Sequence, residues 1–539
     1  MRSTLSAVVA ISLFLGFPRG INAAEPLHAR IDQLIEAGHP DFKSLAAPLS
    51  SDAEFLRRVT LDLVGTLPTA VETRAFLADK DPQKRTKWID QLLASEGYSR
   101  RMTQFLDVML MERRPDSKVG RPLWEEYLRT SFQQNKPFDV LAREILSADG
   151  ADTAKRAPAK FFLDRNFEPN QVTRDLGRLF LGRNLQCAQC HDSPLIDDYK
   201  QEHYYGLMAF INRSSLFPPG KGDTAAIGEK ADGEVTFTSV FDKNKVQKST
   251  GPKVITLKSI PDQKLEKGKE YKVAPSAPTV RPIPTYSRRE LLASAIVESP
   301  WFSRNAANRF WAMVMGRGLV HPLDLDHKDN PPSHPELLDL LTKELVDHKF
   351  DVKWLLRELV LSKTYQRSSE LSSSMKEPPA DRYLVAVLKP LSPEQFVYAL
   401  MQASGYTDSL RGIQKMPNET AVNTGLAAQV APFVRMLGNQ PGQAEEFQAS
   451  LDQTLYLKHS AAIRNFISQR ANCLLDRCGK LTDSKSIANE LFLSVYTRPA
   501  TADEAKDIAD ILKDAKDRPA VLSEVIWAML ASAEFRFNH

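Results

Sequence analysis

The sequence predicts a mainly α-helical protein in which two multi-helix regions are joined by a small β-containing insertion. Three observations carry the prediction. Apolar residues recur at helical spacing from Ser51 to about Arg213 and again from Arg288 onward, recognisable N-caps open several of those stretches, and the segment between them loses the pattern. At 539 residues the chain is long enough for several domains with their own cores, and four cysteines are too few for disulfides to be the main source of stability.

The N-terminus reads as a secretory signal peptide over residues 1–23, with a basic start at Arg2, an apolar run over 5–17, and small residues around Ala23-Ala24 for cleavage. This implies export to a periplasmic or extracellular location. The apolar run falls short of the roughly 20 residues that span a bilayer, and no later stretch approaches that length, so no transmembrane segment is expected after signal removal; the alternative is an uncleaved N-terminal anchor, which Phe17-Pro18-Arg19-Gly20 argues against by interrupting the run. Lys and Arg number 71 against 67 Asp and Glu, and the two signs are interleaved. That balance argues against a nucleic-acid-binding surface, which needs clustered cations for phosphates.

The first helical region is expected over 24–213. Ser51-Asp52-Ala53-Glu54 and Thr69-Ala70-Val71-Glu72 are capping boxes, and Asp81-Pro82 looks like an N-cap followed by proline at the first helical position. Amphipathic segments follow over 100–112, 123–133, 138–146 and 171–181. Residues 214–286 turn to Pro, Gly, Lys and Ser with strand-like pieces at 235–241, 253–257 and 271–273, the alternative reading being a disordered linker. Helices resume over 287–539, where Ser333-His334-Pro335-Glu336 reads as another capping box opening a helix with Leu337, Leu338, Leu341, Leu345 and Val346 inward. Helix endings at Ser147 and Ser362, with a third around Ser532, echo one another in sequence.

Cys187-Ala188-Gln189-Cys190-His191 is the sharpest chemical signature. Two thiols two residues apart with a histidine directly after them suit covalent c-type haem, the thiols adding to its two vinyl groups and the imidazole ligating iron. Cys187 and Cys190 are then the thioether donors and His191 the proximal ligand. Met208 and His203 are the candidate second axial ligands, although Met208 lies in an apolar helical stretch that suits core packing and His203 reads as part of a solvated helix face. Three other readings use the same residues: a zinc site completed by His203, a redox dithiol, and a structural disulfide. Asp192, Asp197 and Asp198 are candidates to orient His191. Cys473 and Cys478, five apart, read as packed free thiols.

The alternating acids and imidazoles of His321-Pro322-Leu323-Asp324-Leu325-Asp326-His327-Lys328-Asp329 lack the glycine and terminal glutamate of an EF-hand and read as a polar interhelical loop. No glycine-rich phosphate loop or nucleophile elbow is present in the sequence, and catalytic residues stay unassigned.

Several blocks resemble a known pairing, the planctomycete-type cytochrome-like domain (domain of unknown function 1549) followed by domain of unknown function 1553. The first is carried by Phe55-Leu56-Arg57-Arg58-Val59-Thr60-Leu61-Asp62-Leu63-Val64-Gly65-Thr66-Leu67-Pro68 and by Gln186-Cys187-Ala188-Gln189-Cys190-His191-Asp192 leading to Tyr204-Tyr205-Gly206-Leu207. The second is carried by Asn308-Arg309-Phe310-Trp311, Gly316-Arg317-Gly318-Leu319-Val320, Asn330-Pro331-Pro332-Ser333-His334-Pro335-Glu336-Leu337-Leu338 and Glu534-Phe535-Arg536-Phe537-Asn538-His539. The resemblance implies an exported, cytochrome-like protein without an assigned activity. Relatives commonly continue the motif as His-Asp-His-Pro, whereas this chain has His191-Asp192-Ser193-Pro194. The expected function is therefore electron transfer or another haem-associated role with a redox partner. The competing expectation is a non-catalytic extracytoplasmic scaffold that binds a carbohydrate or a protein. Haem requires the face around Cys187, Cys190 and His191 to open into an apolar cavity large enough for a porphyrin; bulky helices closed over those side chains would exclude the group.

Overall fold

The computed structural model describes residues 25–217, 225–371, 378–413, 419–438 and 451–539, so the signal-peptide reading of 1–23 lies outside the described residues. The first helix, α1 (Leu27–Ala37), places the Asp32 carboxylate on the amides of Lys363 and Thr364, both at 2.9 Å. It thereby caps a short helix more than 300 residues away. The next long helix, α2 (Asp52–Val64), starts where Ser51 accepts from the Glu54 amide at 3.2 Å. Only that half of the expected box forms. The Glu54 carboxylate turns outward to Arg58 and to the Ser369 amide instead, trading a local cap for a long-range tie.

Thr69 and Glu72 complete both arms of their box at the start of α3 (Ala70–Ala78). Asp81 does not cap a helix: its carboxylate accepts from the Gln83 amide at 2.8 Å, closing a turn, and α4 (Lys84–Ala94) begins after Gln83. The region continues through α5 (Glu96–Met111), α6 (Arg121–Gln133), α7 (Phe138–Ser147), α8 (Pro169–Asp175) and α9 (Gln201–Met208).

The insertion forms three antiparallel ribbons: β1 (Ser214–Phe217) with β2 (Ala226–Glu229), β3 (Val235–Phe237) with β4 (Lys248–Thr250), and β5 (Tyr271–Val273) with β6 (Ile283–Pro284). Strand β3 stops at Phe237, short of the alternation that extends to Phe241 in sequence. Residues 253–257 are irregular, with a turn at 255–256, rather than a strand, because Val254 and Ile255 bury their side chains in the core instead of joining a ladder.

Helices then return as α10 (Arg288–Val297), α11 (Pro300–Met315), α12 (Pro335–Asp347) and α13 (Val352–Leu361), and later as α14 (Pro393–Ala403), α15 (Ser484–Val495), α16 (Ala502–Lys513) and α17 (Arg518–Ala531). The box expected at Ser333 is absent. His334 occupies the N-cap of α12 without a side-chain capping bond, and the Ser333 amide donates to the Leu319 carbonyl, drawing the residue away from the helix. On α12 Val346 points outward, 45% exposed, because it lies about 100° around the helix from Leu345.

Two apolar cores organise these helices. The larger runs from Leu27 to Leu384, so helices on both sides of the insertion share it. Phe138 of α7 packs on Phe302 and Phe310 of α11, with ring centroids 5.6 and 5.2 Å apart. The second core gathers residues from Leu391 to Phe535 and also takes Leu61 and Leu67 from the first region. α2 stands between them, with every residue from Phe55 to Val64 buried. A ribbon of β7 (Lys389–Pro390) and β8 (Phe537–Asn538) closes the junction.

The echoed helix endings have a concrete basis. Ser299, Ser362 and Ser532 each sit between two helices and accept from the amide of an aromatic residue three places on, Phe302, Tyr365 and Phe535. All three aromatics are buried. The serine caps the new helix, a contribution of about 1 kcal/mol, and the turn drives the ring into a core. Ser147 does not share the device: it is the last residue of α7 and caps nothing.

Candidate functional site

Helix α8 runs into a π-helical turn over Leu176–Phe180, and the chain folds back so that the Arg183 amide reaches the Gly177 carbonyl at 2.9 Å. Glycine is needed at 177, since a Cβ there would stand 2.8 Å from the Arg183 carbonyl oxygen. Gly182, at φ +67°, then turns the chain against Asn305 of α11. The resulting loop delivers a 3-10 turn, Gln186–Gln189, that carries the CxxCH.

Within that turn Ala188 is fully buried and anchors it, while Cys187 and Cys190 are free thiols exposed to solvent. His191 is half-buried. Its Nδ1 lies 2.7 Å from the Asp192 carbonyl oxygen, a contact that places the ring proton on Nδ1 and leaves Nε2 as the free lone pair. The Phe241 ring lies beside the imidazole with centroids 4.4 Å apart. Helix α9 braces the turn from below: the Tyr205 hydroxyl donates to the Gln189 carbonyl at 2.9 Å, and the same ring stacks on Phe237 of β3 at 4.6 Å. A Cβ at Gly206 would stand 2.4 Å from Lys253 Cγ, so the glycine admits the insertion against α9.

The three aspartates do not orient His191 through their carboxylates. The Asp192 carboxylate accepts from the Gln201 amide at 2.8 Å and helps start α9, while its backbone carbonyl holds the imidazole. Asp197 pairs with Lys328 at 2.7 Å, and Asp198 accepts from the Lys328 amide at 2.8 Å. These bonds latch the 321–329 loop onto the CxxCH region. The Asn184 amide adds a 2.8 Å bond to the Asp324 carbonyl, and Tyr199 meets His327 edge to face. The polar loop and the CxxCH, separate in sequence, are thus neighbours. Ser193 accepts from the Ile196 amide at 3.1 Å and forms a turn.

His203 is not on a solvated face. It is 6% exposed, and its Nδ1 lies 2.9 Å from the Asp198 carbonyl oxygen. Met208 is half-buried and packs against the larger core. Among the described residues no group of three or more His, Cys, Asp or Glu side chains is placed to hold a metal ion, so the zinc set of Cys187, Cys190, His191 and His203 is not assembled. Cys473 and Cys478 are buried and unpaired; Cys473 caps the Leu474–Gly479 helix through its sulfur, and burial pushes the Cys478 thiol up to about 12.

Burial holds the His203 imidazole below its ordinary value of 6.5, outweighing the Asp198 carbonyl that favours its charged form. The unfolded chain takes up that proton near 6.5 and the folded chain at lower pH, so acidification below about 6.5 favours unfolding. Thermal unfolding at pH 7.5 and 5.5 is expected to show a smaller loss on acidification in His203→Asn than in the wild type. Equal losses in the two proteins would remove His203 from the account.

Residues 30–215 match the family model described as Protein of unknown function (DUF1549), and residues 288–512 match the one described as Protein of unknown function (DUF1553). The chain carries a DUF1549 domain followed by a DUF1553 domain. It matches no curated protein and no solved structure. The CxxCH turn belongs to the DUF1549 segment, and the loop latched beside it belongs to the DUF1553 segment. Among the described residues no helix is long and apolar enough to cross a membrane.

The blocks that carry the resemblance have structural work the sequence did not disclose. Arg57, fully buried, donates to the carbonyls of Val495, Glu534, Phe535 and Phe537. Asn308 clamps both the amide and the carbonyl of Val320, at 3.0 and 2.9 Å. Asp62 receives Lys389, Tyr365 and Asn538 together. A cavity of about 300 Å³ adjoins that cluster, between the two cores, with Arg101, Gln104 and Glu394 among its lining residues. It is separate from the CxxCH.

Proposed function

We propose that Cys187 and Cys190 carry a covalently attached c-type haem whose iron His191 ligates, and that the protein is exported and serves in electron transfer or another haem-associated role. The observation that carries this reading is the open CxxCH turn: both thiols reach solvent, and His191 has Nδ1 engaged by a backbone carbonyl with Nε2 left free. A histidine that ligates a metal through one nitrogen characteristically donates its other N–H to such an acceptor, which fixes ring orientation and raises basicity. The Phe241 ring, 69% exposed, stands beside the imidazole.

Each thiol would add its S–H across one vinyl group, forming the C–S bond and returning the hydrogen to the neighbouring carbon. Haem, once bound, supplies a one-electron iron couple. The chain's own part is to hold the turn on Ala188 and Tyr205 and to fix the imidazole with the Asp192 carbonyl, and Met208 or His203 would be the second residue to hold the iron. His203 shares with His191 a carbonyl acceptor at Nδ1. The signal-like N-terminus supports export, where this attachment chemistry takes place and where a redox partner would be met.

Expression in a host that matures c-type cytochromes tests the reading. The wild-type protein is expected to give a haem-stained band on a denaturing gel, and the Cys187→Ala/Cys190→Ala variant none, with the thermal midpoint of the unloaded protein unchanged because both thiols are exposed. An unstained wild-type band would favour the scaffold reading.

A further inference from the structure

The apolar alternation that begins in β3 continues in sequence beyond the strand, to Val240 and Phe241, yet neither side chain is buried: they are 67% and 69% exposed. Leu195, on the loop just after the CxxCH, is 86% exposed. Single exposed apolar residues are ordinary, but large ones gathered about one reactive turn mark a binding surface.

Their position is fixed by the backbone. The Val240 amide donates to the Cys190 carbonyl at 2.9 Å, and the Gln201 side chain reaches the Thr238 carbonyl at 3.4 Å. Asp242 closes the tip by accepting from the Asn244 and Val246 amides at 2.9 and 3.1 Å. Phe237 is stacked on Tyr205, whose hydroxyl holds the turn itself. The hairpin is therefore tied to the CxxCH at Cys190 and through α9, and it presents Phe241 beside His191 with centroids 4.4 Å apart.

We propose that the tip of the β3–β4 hairpin is the apolar cover of the haem site, with Val240 and Phe241 packing on the macrocycle and, together with Leu195, keeping water from the His191 side. This rests on the haem reading above. The two thiols fix where the macrocycle edge lies; the hairpin tip is bonded through Val240 to the Cys190 backbone and lays Phe241 beside His191, so it adjoins both the second cysteine and the imidazole. Phe241 is a positioning and shielding residue, because it acts through the imidazole and the water around it. Solvent access is one of the levers that set a haem potential and the entry of outside ligands.

The test compares haem-loaded wild type with Phe241→Ser, Val240→Ser/Phe241→Ser and Leu195→Ser, and with Val71→Ser as a control, since Val71 is 72% exposed on α3. Covalent haem per chain and midpoint potential are read in each. The cover predicts wild-type haem content in all, with a downward shift in potential for the hairpin variants, largest in the double variant and smaller in Leu195→Ser, and no change in the control. Loaded hairpin variants with the wild-type potential would overturn the cover while leaving the haem reading intact. A wild-type protein with no covalent haem would overturn both.

Discussion

Asp62→Ala is expected to destabilise the protein by about 3–5 kcal/mol, the cost of breaking a buried ion pair from one side. Asp62 is 2% exposed and holds Lys389 at 2.6 Å through both oxygens, the Tyr365 hydroxyl at 2.8 Å and the Asn538 amide at 2.9 Å. Burial pulls the Lys389 ammonium below its ordinary value even with Asp62 present. Without the carboxylate, Lys389 keeps the Val314 carbonyl as a hydrogen-bond acceptor but loses its counter-charge. The urea midpoint should fall at constant slope. Adding Lys389→Met is expected to recover a substantial part of the loss, because the uncompensated charge leaves with the lysine. Strict additivity of the two substitutions would show that the pair is not coupled.

Arg57→Met should have an effect of similar size, about 3 kcal/mol or more, by leaving buried carbonyls without donors. Its guanidinium, pushed down to about 10 by burial and so still charged at neutral pH, serves four carbonyls in 495–537 and no carboxylate by direct hydrogen bond. The substituted chain keeps the apolar stem but cannot reach those oxygens. The loss should appear in equilibrium unfolding and in amide exchange of the 533–538 segment, which Arg57 ties to α2. Native-like protection of that segment in the variant would contradict the assignment.

Much of the helical framework was legible because its signals are local. Thr69 with Glu72, and the apolar spacing in α5 to α7, depend on neighbours three or four residues away, and the structure reproduces them. Expectations failed where a distant partner won. Glu54 leaves its own cap for Ser369, Ser333 is drawn to Leu319, and the apolar pair Val254 and Ile255 goes to the core instead of a strand. Arg57, Arg58 and Asp62 look in sequence like the polar face of an amphipathic helix. They are buried because α2 lies between two cores and has no solvent face, a circumstance that no helical period records.

The candidate site shows the same division. Cys187, Cys190 and His191 stood out by spacing alone. The Asp192 carbonyl on the imidazole, the Tyr205 brace, the Lys328 latch and the hairpin carrying Phe241 come from segments between 1 and 137 positions removed from the histidine, and only the fold assembles them. His203 is polar in a polar stretch of sequence, yet it is buried, because its short helix is covered on that side.

The most direct test of the central claim is the pyridine haemochrome spectrum, together with the intact mass, of the wild-type protein purified from a host that matures c-type cytochromes. The account predicts the α-band of a haem with both vinyl groups saturated and a mass increased by one haem. The unmodified polypeptide mass with no α-band would contradict it.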